Sequence, residues 1–147
     1  MVDNKTIHVL YCVYTHGREY EMKAFWVDRE TNKAQIVETN GGLEDMYRMC
    51  HCRCIDITVV SIKHMPFNVV VDDEGLLVDK PMITVFDQFG EPMLAGSVVF
   101  FGVDNETYEL ASLDKRHLDA LLERTGMAVM SDFTSRCVTI VDPIDCL

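Results

Sequence analysis

Long apolar runs are missing from this chain, and so is any concentration of positive charge. Nowhere does the sequence approach the roughly 18 uninterrupted apolar residues of a membrane-spanning helix. The nearest run, Ile7 to Tyr14, follows a single Lys5, contains His8 and passes into Thr15-His16-Gly17-Arg18 without a small-residue cleavage site. It therefore reads as a strand rather than an export signal. The nearest approaches to a basic patch are Lys115-Arg116 and the Arg48 and Arg53 pair, both diluted by neighbouring carboxylates. Without such a patch, direct contact with a phosphate backbone or an anionic lipid surface is disfavoured. There is no internal repeat, low-complexity tract or interdomain linker. There is also no phosphate-cradling glycine loop, no Gly-x-Ser-x-Gly elbow and no His-Glu-x-x-His pair, so no catalytic residue is assigned.

What the chain does have is acid. Its 24 Asp and Glu against 13 Lys and Arg leave a formal charge of −11, unevenly spread. Residues 1–40 carry 6 acids against 5 bases, residues 41–80 carry 7 against 4, and residues 81–147 carry 11 against 4, so the last stretch holds −7. At 147 residues, 48% hydrophobic and 25% charged, the composition is that of one folded globular domain, residues 1–147, able to bury about two-thirds of its unfolded surface without disulfides. The six cysteines, Cys12, Cys50, Cys52, Cys54, Cys137 and Cys146, are expected as free thiols in a reducing cytoplasm.

The pattern along the chain predicts α+β architecture, a mainly antiparallel sheet with two helices. An N-terminal strand is expected over residues 6–14, a hairpin from Met22–Val27 and Ala34–Val37, and a helix after Asn40-Gly41-Gly42, with Leu43, Met46, Tyr47 and Cys50 on its apolar face and its end near Cys52. Ile55–Ile62 reads as a central strand buried on both faces. Phe67–Val71 and Leu76–Val78 are expected as strands around the turn Asp72-Asp73-Glu74-Gly75, and 79–81 as a loop. Met82–Phe86 and Met93–Val103 are expected to flank a reversal at Asp87 to Pro92. Ser112 is the expected cap of a second helix with Leu118, Leu121 and Leu122 as its stripe and Gly126 as its stop, and a last strand covers 136–141.

Four places carry a family resemblance over residues 22–124: Met22-Lys23-Ala24-Phe25-Trp26-Val27, the helix Leu43 to Met49, the acidic turn Asp72-Asp73-Glu74-Gly75, and Ala95-Gly96-Ser97-Val98-Val99 with Ala111-Ser112-Leu113. In order and spacing they resemble a family of small proteins of unknown function from phages and conjugative elements. The chain departs from the family where glycine tends to follow the first helix, because His51-Cys52-Arg53 stands there. The strands over 6–14 and 136–141 have no counterpart. The resemblance implies a mobile-element origin and action in a bacterial cytoplasm; it assigns no catalytic residues and no cofactor.

Cys50-His51-Cys52-Arg53-Cys54 invites a zinc reading, but structural sites pair ligands two or more residues apart and add a second pair elsewhere, which is not evident here. The alternative is that Cys50, Cys52 and Cys54 pack as small hydrophobes between helix and strand. A cysteine nucleophile with a histidine base has no local signature. The carboxylate pairs Asp72 with Asp73 and Asp142 with Asp145 lack the alternating ligands of a calcium loop. The remaining signal is the run Asp104, Glu106, Glu109, Asp114, Asp119 and Glu123, where Asp119 and Glu123, four apart on a helix, repel each other. The expectation is a non-enzymatic acidic protein whose carboxylates bind a host protein with a basic surface, such as a nucleic-acid-binding or defence protein. Two alternatives stand beside it. One is a small-ligand binder or small enzyme with a pocket of dispersed residues. The other is a self-associating homo-oligomer joined through Met82, Phe86, Phe89, Met93, Phe100 and Phe101.

Overall fold

The computed structural model describes residues 2–3, 9–13 and 21–144, the first two segments as strand backbone. In chain order the elements are β1 (Val2–Asp3), β2 (Val9–Val13), β3 (Met22–Asp28), β4 (Lys33–Thr39), α1 (Leu43–Cys50), β5 (Ile55–Ile62), β6 (Met65–Asp72), β7 (Ile83–Asp87), β8 (Pro92–Ala95), β9 (Val98–Val103), β10 (Leu110–Ala111), α2 (Lys115–Arg124), β11 (Thr125–Val129) and β12 (Ser135–Val141). The architecture is α+β, mostly sheet and mainly antiparallel. Of the expected N-terminal strand, Val9–Val13 is present and runs parallel to β4, while 6–8 and 14 lie outside the described residues, as do Asp145 and Cys146.

Two sheets divide the chain. The larger runs β2-β4-β3-β9-β6-β5, with β10 added to β9, and the smaller runs β1-β11-β12-β7-β8. One face of the larger sheet packs Phe25, Val27, Val60, Phe67, Val69 and Phe100 against Val85, Cys137 and Val141 of the smaller sheet and Leu121 of α2. The other face packs Trp26, Val70, Val99 and Phe101 against Met46, Met49 and Cys50 of α1. The period-2 alternation of strands accounts for this: neighbours Trp26 and Phe25, or Phe101 and Phe100, serve opposite cores.

The structure moves several sequence expectations. Met93–Val103 is two strands, not one. Gly96, with φ +81, and Ser97 break it so that β8 edges the smaller sheet and β9 sits inside the larger one. Ile55–Ile62 is an edge strand, paired only with β6 among the described residues, and Asp56, Ile57 and Val59 are exposed. Leu76–Val78 forms turns rather than a strand, with Leu77 80% exposed. On α1 the buried face is Asp45, Met46, Met49 and Cys50; Leu43 is exposed and Tyr47 half-buried.

Helix α2 is capped by Asp114 and not by Ser112. Asp114 Oδ1 accepts from His117 N (2.9 Å), and Asp114 N donates back to His117 Nδ1 (3.0 Å). Ser112 Oγ instead accepts the Lys23 amide. Gly126 does not stop the helix in a loop, because the chain passes directly into β11, where Gly126 faces Val138. Phe100 and Phe101 are fully buried, which removes them from the self-association surface. Phe89 and Met82 are exposed, and Phe86 and Met93 are half-buried.

Phe100 meets Phe25 and Phe67 edge-on, with ring centroids 6.3 and 6.4 Å away, at the centre of the inter-sheet core. Phe100→Ala is expected to cost about 3–5 kcal/mol in urea denaturation. Phe89→Ala, at an 81% exposed position, is expected to stay within about 0.5 kcal/mol.

Candidate functional site

The six acids singled out from the sequence are all exposed, and the structure uses them in different ways. Asp104 begins the turn between β9 and β10. Its Oδ1 accepts from Thr107 N (3.0 Å) and Glu106 N (2.9 Å), and these backbone donors hold its carboxyl below the usual range. Glu106 and Glu109 share that turn. Asp114 is spent on the α2 cap, and the His117 amide lowers its pKa. Asp119 lies 3.9 Å from Lys115 Nζ, and Glu123 is hydrogen-bonded to Lys63, which lowers its pKa. The structure therefore brings Asp104, Glu106 and Glu109 together and sets Asp119 and Glu123 each beside its own lysine.

A second acidic group lies at the opposite end of the larger sheet. Since Asn68 faces Phe101 and Val70 faces Val99, the end of β6 lies far from Asp104 and close to Ser97. There Asp72 Oδ1 accepts the Glu74 amide (2.9 Å), Asp73 N donates to Cys54 O (3.0 Å), and Asp56 follows on the neighbouring strand. Sequence reasoning identified the turn but not its juxtaposition with Asp56, since that required knowing that β5 pairs with β6.

Beside this group stands a buried carboxylate that the sequence did not reveal. Asp28, 3% exposed, ends β3. Its Oδ1 takes hydrogen bonds from His51 Nε2 (2.9 Å), Ser97 Oγ (3.2 Å) and Glu30 N (3.0 Å), and its Oδ2 from Thr31 Oγ1 (3.0 Å). Burial by itself would raise its pKa. The bonds from His51, the Glu30 amide and Thr31 overcome that and hold it below the ordinary aspartate value. With the carboxylate ionised, His51 Nε2 must be the donor.

His51 can reach Asp28 because it occupies the position just past α1 with φ 54, where Cys52 N donates to Tyr47 O and His51 N to Arg48 O. Glycine is the usual residue at such a left-handed helix terminus. The family resemblance marked this departure, and the Asp28 hydrogen bond supplies a physical reason for it. Trp26 Nε1 donates to Met49 O (3.0 Å) and fixes the same helix end.

This constellation is not arranged as a nucleophile with its base. Ser97 is fully buried, and its Oγ lies between the Arg29 amide and Asp28 rather than against His51. Cys50 is buried, its Sγ facing Val70 O, and burial foremost, then Cys52 and Asp72, pushes its thiol far up. Cys52 is raised likewise, first by burial and then by Asp72, while Cys54 is exposed. Burial raises Cys137 to about 11. Among the described residues, no three His, Cys, Asp or Glu side chains converge as an ion would require.

A concavity of about 470 Å³ lies on the smaller sheet, lined by Phe86, Asp87, Ala128, Met130, Val138 and Ile140. Its walls are mostly apolar. Asp87 Oδ1 is committed to its own turn, accepting from Phe89 N (2.7 Å) and Glu91 N (3.0 Å).

Fold and surface together define a small two-sheet α+β protein with acidic turns at both ends of its larger sheet. Residues 22–126 match the model of a family described as a domain of unknown function (DUF3846), and the chain belongs to that family. No curated protein and no solved structure matches it.

Asp28 ties strand, helix and turn together, so Asp28→Asn is expected to lower stability by about 1–3 kcal/mol at neutral pH. Because folding lowers the pKa of Asp28, its contribution is complete above the ordinary value of 3.8 and is lost as pH falls through the folded value. Urea denaturation at a series of pH values should show the wild type and Asp28→Asn converging below that point.

Proposed function

We propose that this protein is a non-enzymatic interaction protein that binds a partner with a basic surface and competes there with nucleic acid. The observation that carries this reading is the set of exposed carboxylates on turns. Asp104, Glu106 and Glu109 stand at one end of the larger sheet, Asp73 and Glu74 at the other, and none of these is ion-paired with Lys or Arg among the described residues. Backbone amides fix the Asp104 carboxylate, so part of this charge is presented already ordered, which lowers the cost of docking. With −11 overall, encounter with a cationic surface is steered electrostatically. In the setting the family resemblance implies, a phage or conjugative element in the cytoplasm of a bacterial host, the partner is a host nucleic-acid-binding or defence protein, inhibited by occupation of its cationic groove.

The reading is tested by capturing partners from the host and measuring each, purified, against added salt. The dissociation constant is expected to rise about tenfold or more between roughly 50 and 300 mM salt. The triple change Asp104→Asn, Glu106→Gln, Glu109→Gln is expected to slow association. An affinity indifferent to salt contradicts charge mimicry.

A second reading, an apolar small-ligand binder, is favoured by the 470 Å³ cleft on the smaller sheet. Under it, Nile red fluorescence rises on binding and is lost when Ala128→Trp fills the cleft. Equal fluorescence in both proteins counts against it.

A further inference from the structure

Among the described residues, the outer edge of β5 is open along only part of its length, and a groove runs beside the open part. Asp73 N donates to Cys54 O, and Lys63-His64, both with positive φ, form the two-residue turn that pairs Ile62 with Met65. In an antiparallel pair, inward and outward backbone groups alternate. Cys54, Asp56, Thr58, Val60 and Ile62 therefore bond toward β6, and the N–H and C=O of Ile55, Ile57 and Val59 point away from it. Toward its C-terminal end this edge is closed: Asp142 N donates to Ser61 O (2.7 Å), and Ser61 Oγ to Asp142 Oδ2 (3.0 Å).

Along the open part, Ile57 and Val59 are each 48% exposed, and the Ile57 amide is held by the carboxylate of its own neighbour, Asp56 Oδ1, at 2.9 Å. Two concavities of about 310 and 160 Å³ meet at Thr58 and Leu94 and form a groove between β5 and β8, the edge strand of the smaller sheet. Asp56, Asp72 and Asp73 line its far end, with Glu74 next to them.

An exposed apolar edge strand with unpaired backbone groups is a template for another strand. Its surroundings select the occupant. A second copy would bring another −11 and another Asp56 to the same edge, whereas a segment bearing Lys or Arg meets carboxylates that have no Lys or Arg partner among the described residues.

We propose that an extended segment of a cationic partner adds to β5 as a further strand at Ile55 to Val59, its apolar residues over Ile57 and Val59 and its alternate Lys or Arg residues on the opposite face, toward Asp56 and Asp73. This rests on the anionic binding role proposed above and names the form the partner takes. On docking, the incoming carbonyl replaces Asp56 at the Ile57 amide, and the released carboxylate turns to the incoming cation. Main-chain hydrogen bonds supply affinity and the alternating side chains supply selectivity.

The test uses a blocked seven-residue peptide, Lys-Val-Lys-Val-Lys-Val-Lys, and its counterpart with Glu for Lys. The Lys peptide is expected to bind at least about tenfold more tightly than the Glu peptide and to slow amide exchange at Val59 by at least about tenfold. Val59→Pro removes an outward N–H at an edge, where proline is tolerated, and should abolish binding. Asp56→Asn, which leaves the backbone alone, should weaken the Lys peptide and not the Glu peptide.

Lys-peptide binding undiminished by Val59→Pro, with protection elsewhere, overturns strand addition while leaving the anionic role standing. Equal binding of the two peptides overturns both. A dimer seen by sedimentation and dissolved by Val59→Pro assigns the edge to a second copy and overturns the proposal.

Discussion

One buried carboxylate holds the parts of this molecule in register. Asp28 accepts from the turn after β3, from the residue that ends α1, and from Ser97, where the chain has just left the smaller sheet for the larger. A charge this deep is tolerated because each approach brings a donor. It joins three segments distant in sequence at one corner. Helix α1, only Leu43–Cys50, is too short to persist by its own hydrogen bonds. Its packing on Trp26, Val99 and Phe101 and the His51 bond to Asp28 supply what the helix lacks.

The sequence disclosed the fold class and the placing of most elements, because β-branched runs and turn residues are local signals. It did not disclose neighbours. Ile55–Ile62 has the same apolar run whether it lies in the middle of a sheet or at its margin; Ile57 and Val59 are half exposed because no strand lies beyond them among the described residues. The split at Gly96-Ser97 and the strand Thr125–Val129 were hidden for a related reason. A glycine within an apolar run permits either continuation or a change of direction, and here Gly96 turns the chain while Gly126 continues a strand.

The candidate surface was legible to a similar extent. Counting charge located Asp104, Glu106 and Glu109, which share a turn, but counting could not know that Lys63 reaches Glu123 from another element. The acids beside β5 gather only through pairing across the β5–β6 hairpin. His51 had one local signal, a bulky residue in a place where a helix end favours glycine, and its meaning required Asp28.

The order of the smaller sheet bears on synthesis. Strand β12 lies between β11 and β7 and runs parallel to β7, so β7 gains its second neighbour, beside β8, only after Val141 has left the ribosome. From β3 onward the larger sheet needs only the chain through β10, at Ala111. A growing chain can thus assemble that sheet around Asp28 while its Phe25 and Phe100 face still lacks Leu121 of α2 and Cys137 and Val141 of β12. Cotranslational chaperones would meet the molecule in that interval, with one apolar layer formed and its counterpart still to come.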